Sequence, residues 1–306
     1  WNEINSTLST FNITDFRIDE NNATFKRFTS GNGAIATPYL ISDVYGLQGL
    51  DSVGMLATEI YYKLANNIDA SGTSGWDSGA GFDPIKDTNQ TFFRGILDGQ
   101  GYQVSNLYIN RPTEDKVGLF GYLRADWAPY AKISNLELVT PNITGQDSVG
   151  AVVGYVFSTA TVADTVVLDS VYVTGGSVTG RTGVAGIIGQ WESPSGANKV
   201  LNNLRNSSAI TATSSYVGGL LGYTAQSNGL TIDNSYNTGS ITLSGVLDHD
   251  NIGGLAGYLT TTTIEDSYNT GAINVTTASQ GRYIGGIAGQ ILGSSIIRRS
   301  DNSGVI

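Results

Sequence analysis

One block of sequence returns about every 33 residues, and this periodicity constrains the chain more tightly than anything in its composition. It reads Val117-Gly-Leu-Phe-Gly, Val149-Gly-Ala-Val-Val-Gly, Val184-Ala-Gly-Ile-Ile-Gly, Val217-Gly-Gly-Leu-Leu-Gly, Ile252-Gly-Gly-Leu-Ala-Gly and Ile284-Gly-Gly-Ile-Ala-Gly, with starts 32 to 35 residues apart. A second block follows each start: Ile232-Asp-Asn-Ser-Tyr-Asn-Thr-Gly, Ile264-Glu-Asp-Ser-Tyr-Asn-Thr-Gly and Ile297-Arg-Arg-Ser-Asp-Asn-Ser-Gly. Weaker copies are placed at Val104, Ile133, Val167 and Leu201. A third, looser segment completes the unit, as in Ser240-Ile-Thr-Leu-Ser-Gly and Ala272-Ile-Asn-Val-Thr.

These segments are short, rich in β-branched residues and punctuated by Gly and Asn, which is strand composition. A helix with Gly at every second or third position would lose about 1 kcal/mol at each. Three short strands per coil of about 33 residues describe an all-β, parallel β-helix, a β-solenoid whose Leu, Ile and Val stack from coil to coil. Leu220, Leu255 and Ile287 are expected to point inward, and the glycines to let neighbouring coils approach.

Asparagine supplies a second device. The third position of the second block holds Asn106, Asn135, Asp169, Asn203, Asn234, Asp266 and Arg299, and the sixth holds Asn206, Asn237, Asn269 and Asn302. Aligned carboxamides can bond to their counterparts above and below, whereas an Asn in a tight turn can hold left-handed backbone. A stacked ladder is the favoured expectation for both positions.

The two ordered blocks resemble the GLUG motif family of bacterial and archaeal surface proteins and of some immunoglobulin A peptidases. The preceding stretch resembles the lead-in of such regions: Tyr61-Tyr-Lys-Leu-Ala-Asn-Asn-Ile-Asp, Gly75-Trp76, Phe82-Asp-Pro-Ile and Phe93-Arg-Gly-Ile-Leu-Asp-Gly-Gln-Gly-Tyr. The resemblance covers residues 37 to 306 and implies a right-handed β-helix on or outside the cell, with no catalytic residue. One elongated domain is expected, with 1–36 as an N-terminal strand segment, 37–116 as lead-in coils and 117–306 as repeat coils. The first segment alternates Leu8, Phe11, Ile13, Phe16 and Ile18 with polar residues, which suits a cap over the first coil or a strand donated to a neighbouring subunit.

Chemistry is sparse. There is no Cys, which excludes disulfides and thiolate metal sites, and His249 stands alone between Asp248 and Asp250. Sixteen basic residues against 26 acidic ones, without basic clustering, argue against a nucleic-acid partner. No apolar run approaches the roughly 20 residues of a membrane span. The first residue is Trp1 rather than Met, consistent with removal of a leader or with a piece of a longer protein.

No catalytic, cofactor or metal residue is assigned, and no cofactor is expected. Asp69, Asp77 and Asp83 could offer oxygen ligands to calcium, but their spacing fits no calcium loop. The acids are scattered, and Arg298-Arg299 has no evident acidic companion in an adjacent coil. Thr260 to Thr263 would need regular Thr on successive coils to form an ice-binding face, and that regularity is not seen. Tyr155, Tyr223, Tyr236, Tyr258 and Tyr268 fall at repeat positions and read as corner packing more readily than as sugar platforms.

Candidate N-glycosylation sites are Asn5, Asn12, Asn22, Asn89, Asn142 and Asn274, whereas Asn206, also in a sequon, belongs to the ladder. The leading expectation is a non-enzymatic extracellular protein, a surface adhesin segment or filament subunit whose partners are further copies, other surface proteins or glycans. The alternative is a carbohydrate-binding or lyase-like β-helix, which aligned aromatics or a cleft with paired acids would favour.

Overall fold

The computed structural model describes residues 1–11, 13–19, 22–56, 59–86, 92–124, 131–158, 165–194, 199–245, 251–275 and 283–306. Its strands stack in parallel from coil to coil into a β-solenoid. The first block bends after its second residue, so the three segments of a coil cross four walls. The first wall stacks Asp147–Gly150, Thr182–Ala185, Val217–Gly218, Asn251–Gly253 and Tyr283–Gly285. The second runs from Phe120–Arg124 to Ala288–Leu292, and the fourth from Tyr108–Asn110 to Ile273–Val275. The third is the longest, from Tyr39–Ile41 to Ile296–Arg298.

Each position of the second block has a distinct physical task. In the coil of Ile232 the isoleucine is buried, and Asn234 takes left-handed backbone (φ 48°) that turns the wall. The Ser235 hydroxyl accepts the backbone N–H of Leu204 in the coil below (3.0 Å), and the Ser267 hydroxyl accepts that of Ser235 (3.1 Å). Tyr236 faces outward, and Asn237 turns inward and is fully buried.

The third and sixth positions therefore divide the roles expected of both. Asn106 (φ 59°) holds a left-handed corner of its own, level with Thr140, whereas Asn135, Asn203, Asn234, Asp266 and Arg299 all have φ between 46° and 52°, so the third position is a left-handed corner rather than a rung. Ser170, not Asp169, holds that corner in its coil, because Val167 is an extra residue: the register with the next strand shifts between Val166 and Leu168. The weaker copy placed at Val167 thus starts at Leu168, which pairs with Ile133 and Leu201. The copy placed at Val104 is also displaced. Leu97 stacks on Ile133, and Val104 on Leu138.

At the sixth position the carboxamides bond directly. Asn206 Nδ2 donates to Asn237 Oδ1 (2.8 Å), Asn237 to Asn269 (2.9 Å), and Asn269 to Asn302 (2.8 Å). Asn237 and Asn269 each also donate to the carbonyl two residues on, Gly239 and Gly271, and accept that glycine's N–H, so both ends of the amide are used. The first block makes room for this. A methyl group built on Gly186, Gly219, Gly254 or Gly286 would overlap the carboxamide of Asn206, Asn237, Asn269 or Asn302 respectively. The two motifs recur in step because one is packed on the other.

Leu220 and Leu255 are buried, and Ile287 is half-buried in the last coil. At the opposite end Asn2–Ile4 pairs in parallel with Lys26–Phe28. Phe11, Phe16, Phe25, Tyr45 and Trp76 interlock there with centroids 5.1–6.5 Å apart. The buried Arg27 lies over the Phe11 ring and closes on Glu3 and Asp43, each at 2.8 Å. Phe11 and Phe16 of the first segment, backed by Phe25, thus pack on Tyr45 and Trp76 of the chain's own following coils.

Candidate functional site

The outer surface of the third wall carries a continuous column of polar and aromatic side chains. Strand alternation sends every second residue outward, and the register aligns Gln103, Glu137, Tyr172, Arg205, Tyr236, Tyr268 and Asp301. Glu137 accepts from Gln103 (2.9 Å) and from the Thr174 hydroxyl (2.6 Å). The Arg205 guanidinium lies between the rings of Tyr172 (4.5 Å) and Tyr236 (5.4 Å), and Tyr236 stacks on Tyr268 at 4.8 Å and 9°. Asn203, at the left-handed corner, donates to the Tyr172 hydroxyl (2.7 Å) and accepts from Arg205 Nε (3.3 Å). A cleft of about 480 Å³ opens beside this column, lined by Glu137, Tyr172, Thr174, Arg205, Tyr236 and Thr238 among others.

A second aromatic column lies on the second wall. Tyr155 pairs with Tyr122 and Gln190, and Tyr223 with Gln190 and Tyr258. Lys116 sits 4.8 Å from the Tyr122 ring and 4.7 Å from the Tyr155 ring, and burial draws its ammonium below the usual lysine range. Burial, aided by a 2.5 Å hydrogen bond to Glu192, raises the Tyr155 phenol well above its ordinary value. These rings face one another and their cations, so the column is packing.

Other sites read from sequence are placed as follows. Asp77 and Asp83 both face the buried Arg111 guanidinium, at 2.9 and 3.4 Å, so an arginine stands where a calcium ion would have to sit. Asp69 is turned instead to Ser71 and Asn106. The nearby cavity, about 130 Å³ and bordered by Arg17 and Asp51, is smaller than the roughly 300 Å³ usual for ligand pockets. Among the described residues no group of three or more His, Cys, Asp or Glu is arranged to hold a metal, and His249 lies outside them.

Arg298 and Arg299 do have acidic companions, contrary to the sequence expectation. One coil below, Glu265 and Asp266 receive them at 2.6 Å each, because the 33-residue offset sets the two pairs in register. Hydrogen bonds from Arg298 and Arg299 hold the Glu265 and Asp266 carboxyls, respectively, below the usual carboxylate range. Asn5, Asn22, Asn142 and Asn274 are exposed, Asn206 is buried, and Asn12 and Asn89 lie outside the described residues.

Regular threonine also exists, though not at Thr260 to Thr263. Thr144, Thr179, Thr211 and Thr242 align on the fourth wall between Asn110 and Asn274. The signal was the recurring Ile-Thr or Val-Thr of the third segment. The Arg205 cleft was less legible, since Arg205 occurs where other coils carry Tyr172, Tyr236 and Tyr268.

Comparison with known proteins agrees with this architecture. Residues 249–276 match the family described as the GLUG motif. The chain is 33% identical over 216 residues to Halomucin of Haloquadratum walsbyi, spanning 63% of this chain and 2% of that protein. It is 31% identical over 131 residues to a provisionally named Gly-rich membrane protein of Evansella cellulosilytica, spanning 42% of this chain and 14% of the relative. The chain therefore corresponds to a small part of the curated relatives it matches. A crystal structure from Bacteroides ovatus, carrying the provisional name immunoglobulin A1 protease, superposes with a TM-score of 0.55 at 19% identity, over 89% of this chain and 87% of that one. The fold is shared along most of both chains. Residues 249–276 thus carry a GLUG motif within a stack of similar coils.

Proposed function

We propose that this solenoid is a non-enzymatic extracellular module, a rigid segment of a surface adhesin or filament subunit that presents its walls to other molecules. The observation that carries the reading is the continuous parallel stacking of the third wall, which joins sequence-distant residues into outward columns along the rod. Stability resides in stacked backbone, aliphatic side chains and the amide ladder, and needs no cofactor. Similarity to part of Halomucin and to a Gly-rich membrane protein supports a place at the cell surface. Among the described residues no helix is long and apolar enough to cross a membrane. The charged groups described above are largely engaged in ion pairs that stitch coils together, which favours scaffold over catalyst. Where a host attaches N-glycans, Asn5, Asn22, Asn142 and Asn274 offer accessible acceptors.

Protease shaving of intact source cells tests the location: peptides from this chain are expected in the released fraction, and their recovery only after lysis would overturn the reading. Negative-stain images of native material then separate a filament from an isolated rod.

A further inference from the structure

The cleft on the third wall holds an arginine whose hydrogen-bonding capacity is not spent among the described residues. Arg17, Arg27, Arg111, Arg181, Arg298 and Arg299 each close on at least one carboxylate. Arg205, like Arg94, closes on none among the described residues. Its Nε donates to Asn203, its plane is clamped between Tyr172 and Tyr236, and its Nη groups meet no protein acceptor among the described residues. A clamped, outward fork of parallel N–H groups is the geometry that takes a carboxylate through two hydrogen bonds, and the entropy of ordering the side chain is already spent on the clamp.

The surroundings specify what else the ligand carries. The Tyr236 hydroxyl has no partner among the described residues, the Tyr172 hydroxyl accepts from Asn203 and keeps its own proton free to donate, and Glu137 offers acceptor capacity at the other end. Glu137 lies two coils from Arg205, roughly 9–10 Å at the usual strand spacing, so salt largely screens it from an anion at the arginine. The cleft volume of about 480 Å³ falls within the range of small-ligand sites. The ring faces of Tyr236 are already covered by Arg205 and Tyr268, so recognition runs through the guanidinium and hydroxyls rather than through sugar stacking.

We propose that this cleft binds an acidic glycan, taking a uronate carboxylate on the Arg205 guanidinium and sugar hydroxyls on Tyr172, Tyr236 and Glu137. The site gives the interaction surface proposed above its ligand class, and its biological use rests on that reading.

Titration calorimetry of the purified full chain with trigalacturonate, its carboxyl-reduced neutral counterpart and triglutamate tests it. Trigalacturonate is expected to bind, with the neutral sugar and the acidic peptide each at least tenfold weaker. Arg205→Gln should lose tenfold or more, Arg205→Lys should recover only part, and Tyr236→Phe should weaken binding several-fold, all with unchanged melting temperature. Absence of trigalacturonate binding, equal affinity for the neutral sugar or the peptide, or full affinity in Arg205→Gln would each overturn the site. Because the assay uses isolated protein, its failure leaves the surface location standing, and failed cell shaving leaves the site standing.

Discussion

One interior column runs the length of the third wall, and its two halves are built from opposite chemistry. Ile68, Val104, Leu138 and Val173 fill it towards the N-terminus, and Asn206, Asn237, Asn269 and Asn302 continue it in unbroken register. The first block changes in step: Leu119 accompanies Leu138, Ala151 accompanies Val173, and glycine stands at 186, 219, 254 and 286 over the asparagines. A dispersive column accepts any residue of suitable volume. An amide column works only when each member meets its neighbours, because a buried amide without partners is costly. On the third wall the one bulge, at Val167, lies below the amides, and the amide coils pair there without a shift; their own irregularity, between Glu192 and Ser193, falls on the second wall, away from the ladder.

The largest test of this contrast is Leu255→Asp. Leu255 is buried at the bend between the two strands of a first block, and its backbone bonds coils on both sides (Leu220 N–H to Leu255 O 2.9 Å, Leu255 N–H to Ile287 O 2.8 Å). A lone buried carboxylate there should dissolve the coils from about residue 217 onward while the capped N-terminal half stays folded, since repeats depend on nearest neighbours. Hydrogen exchange should show protection lost in 251–275 and retained in 39–64. The milder Leu255→Ala should cost about 2–5 kcal/mol. Uniform loss of protection would mean that the halves fold as one unit.

Asn237→Leu comes next, because it imports the chemistry of the lower half into the upper. Leucine has the same branching, though a greater bulk, and strands the Asn206 amide, the Asn269 carbonyl and both backbone groups of Gly239. Each orphaned buried group costs about 1–3 kcal/mol, so a loss comparable to a core truncation is expected in denaturant melts. The reverse exchange is gentler. Val173→Asn adds a rung below Asn206 but meets the Ala151 methyl, an overpacking cost of about 1–3 kcal/mol. Adding Ala151→Gly should recover most of it, and a double-mutant cycle without coupling would remove the link between the two blocks.

Much of this was legible beforehand, and what was missed has a physical cause. The fold, the inward Leu220 and Leu255, and the close approach at glycine follow from periodicity. The register of the Val167 copy did not, because one extra residue in a strand is invisible to a motif scan yet shifts every partner; the Val104 copy took the sixth-position strand for the first, because Leu97 and Val104 are seven residues apart where Ile133 and Leu138 are five. The third-position asparagines look like the sixth in sequence, and only backbone φ separates a corner from a rung. Arg205, Glu265 and Asp266 gain their roles from residues more than 30 positions away, and that pairing is fixed by the three-dimensional stack alone.

The smallest expected effect is acid sensitivity confined to the last coil. The amide ladder has no titrating atom, so its protection should be flat between pH 6 and pH 3. The Glu265 and Asp266 carboxyls, held below their ordinary values by hydrogen bonds from Arg298 and Arg299, add stability that is fully present above the unfolded-state values near 4. It fades as pH falls through their lower folded values, because the unfolded chain then binds the proton more readily. Asp233, one coil below, works in the opposite sense: burial raises its carboxyl, so its share is present in acid and is lost as pH rises through the raised value. The exposed pairs are screened by solvent and the two trends partly offset, so the change is small. Protection factors in Ile296–Arg298 should decline modestly between pH 5 and pH 3, and Glu265→Gln with Asp266→Asn should abolish the decline. An equal decline at Asn237 and Asn269 would place the acid sensitivity in the stack as a whole and not in the arginine pairs.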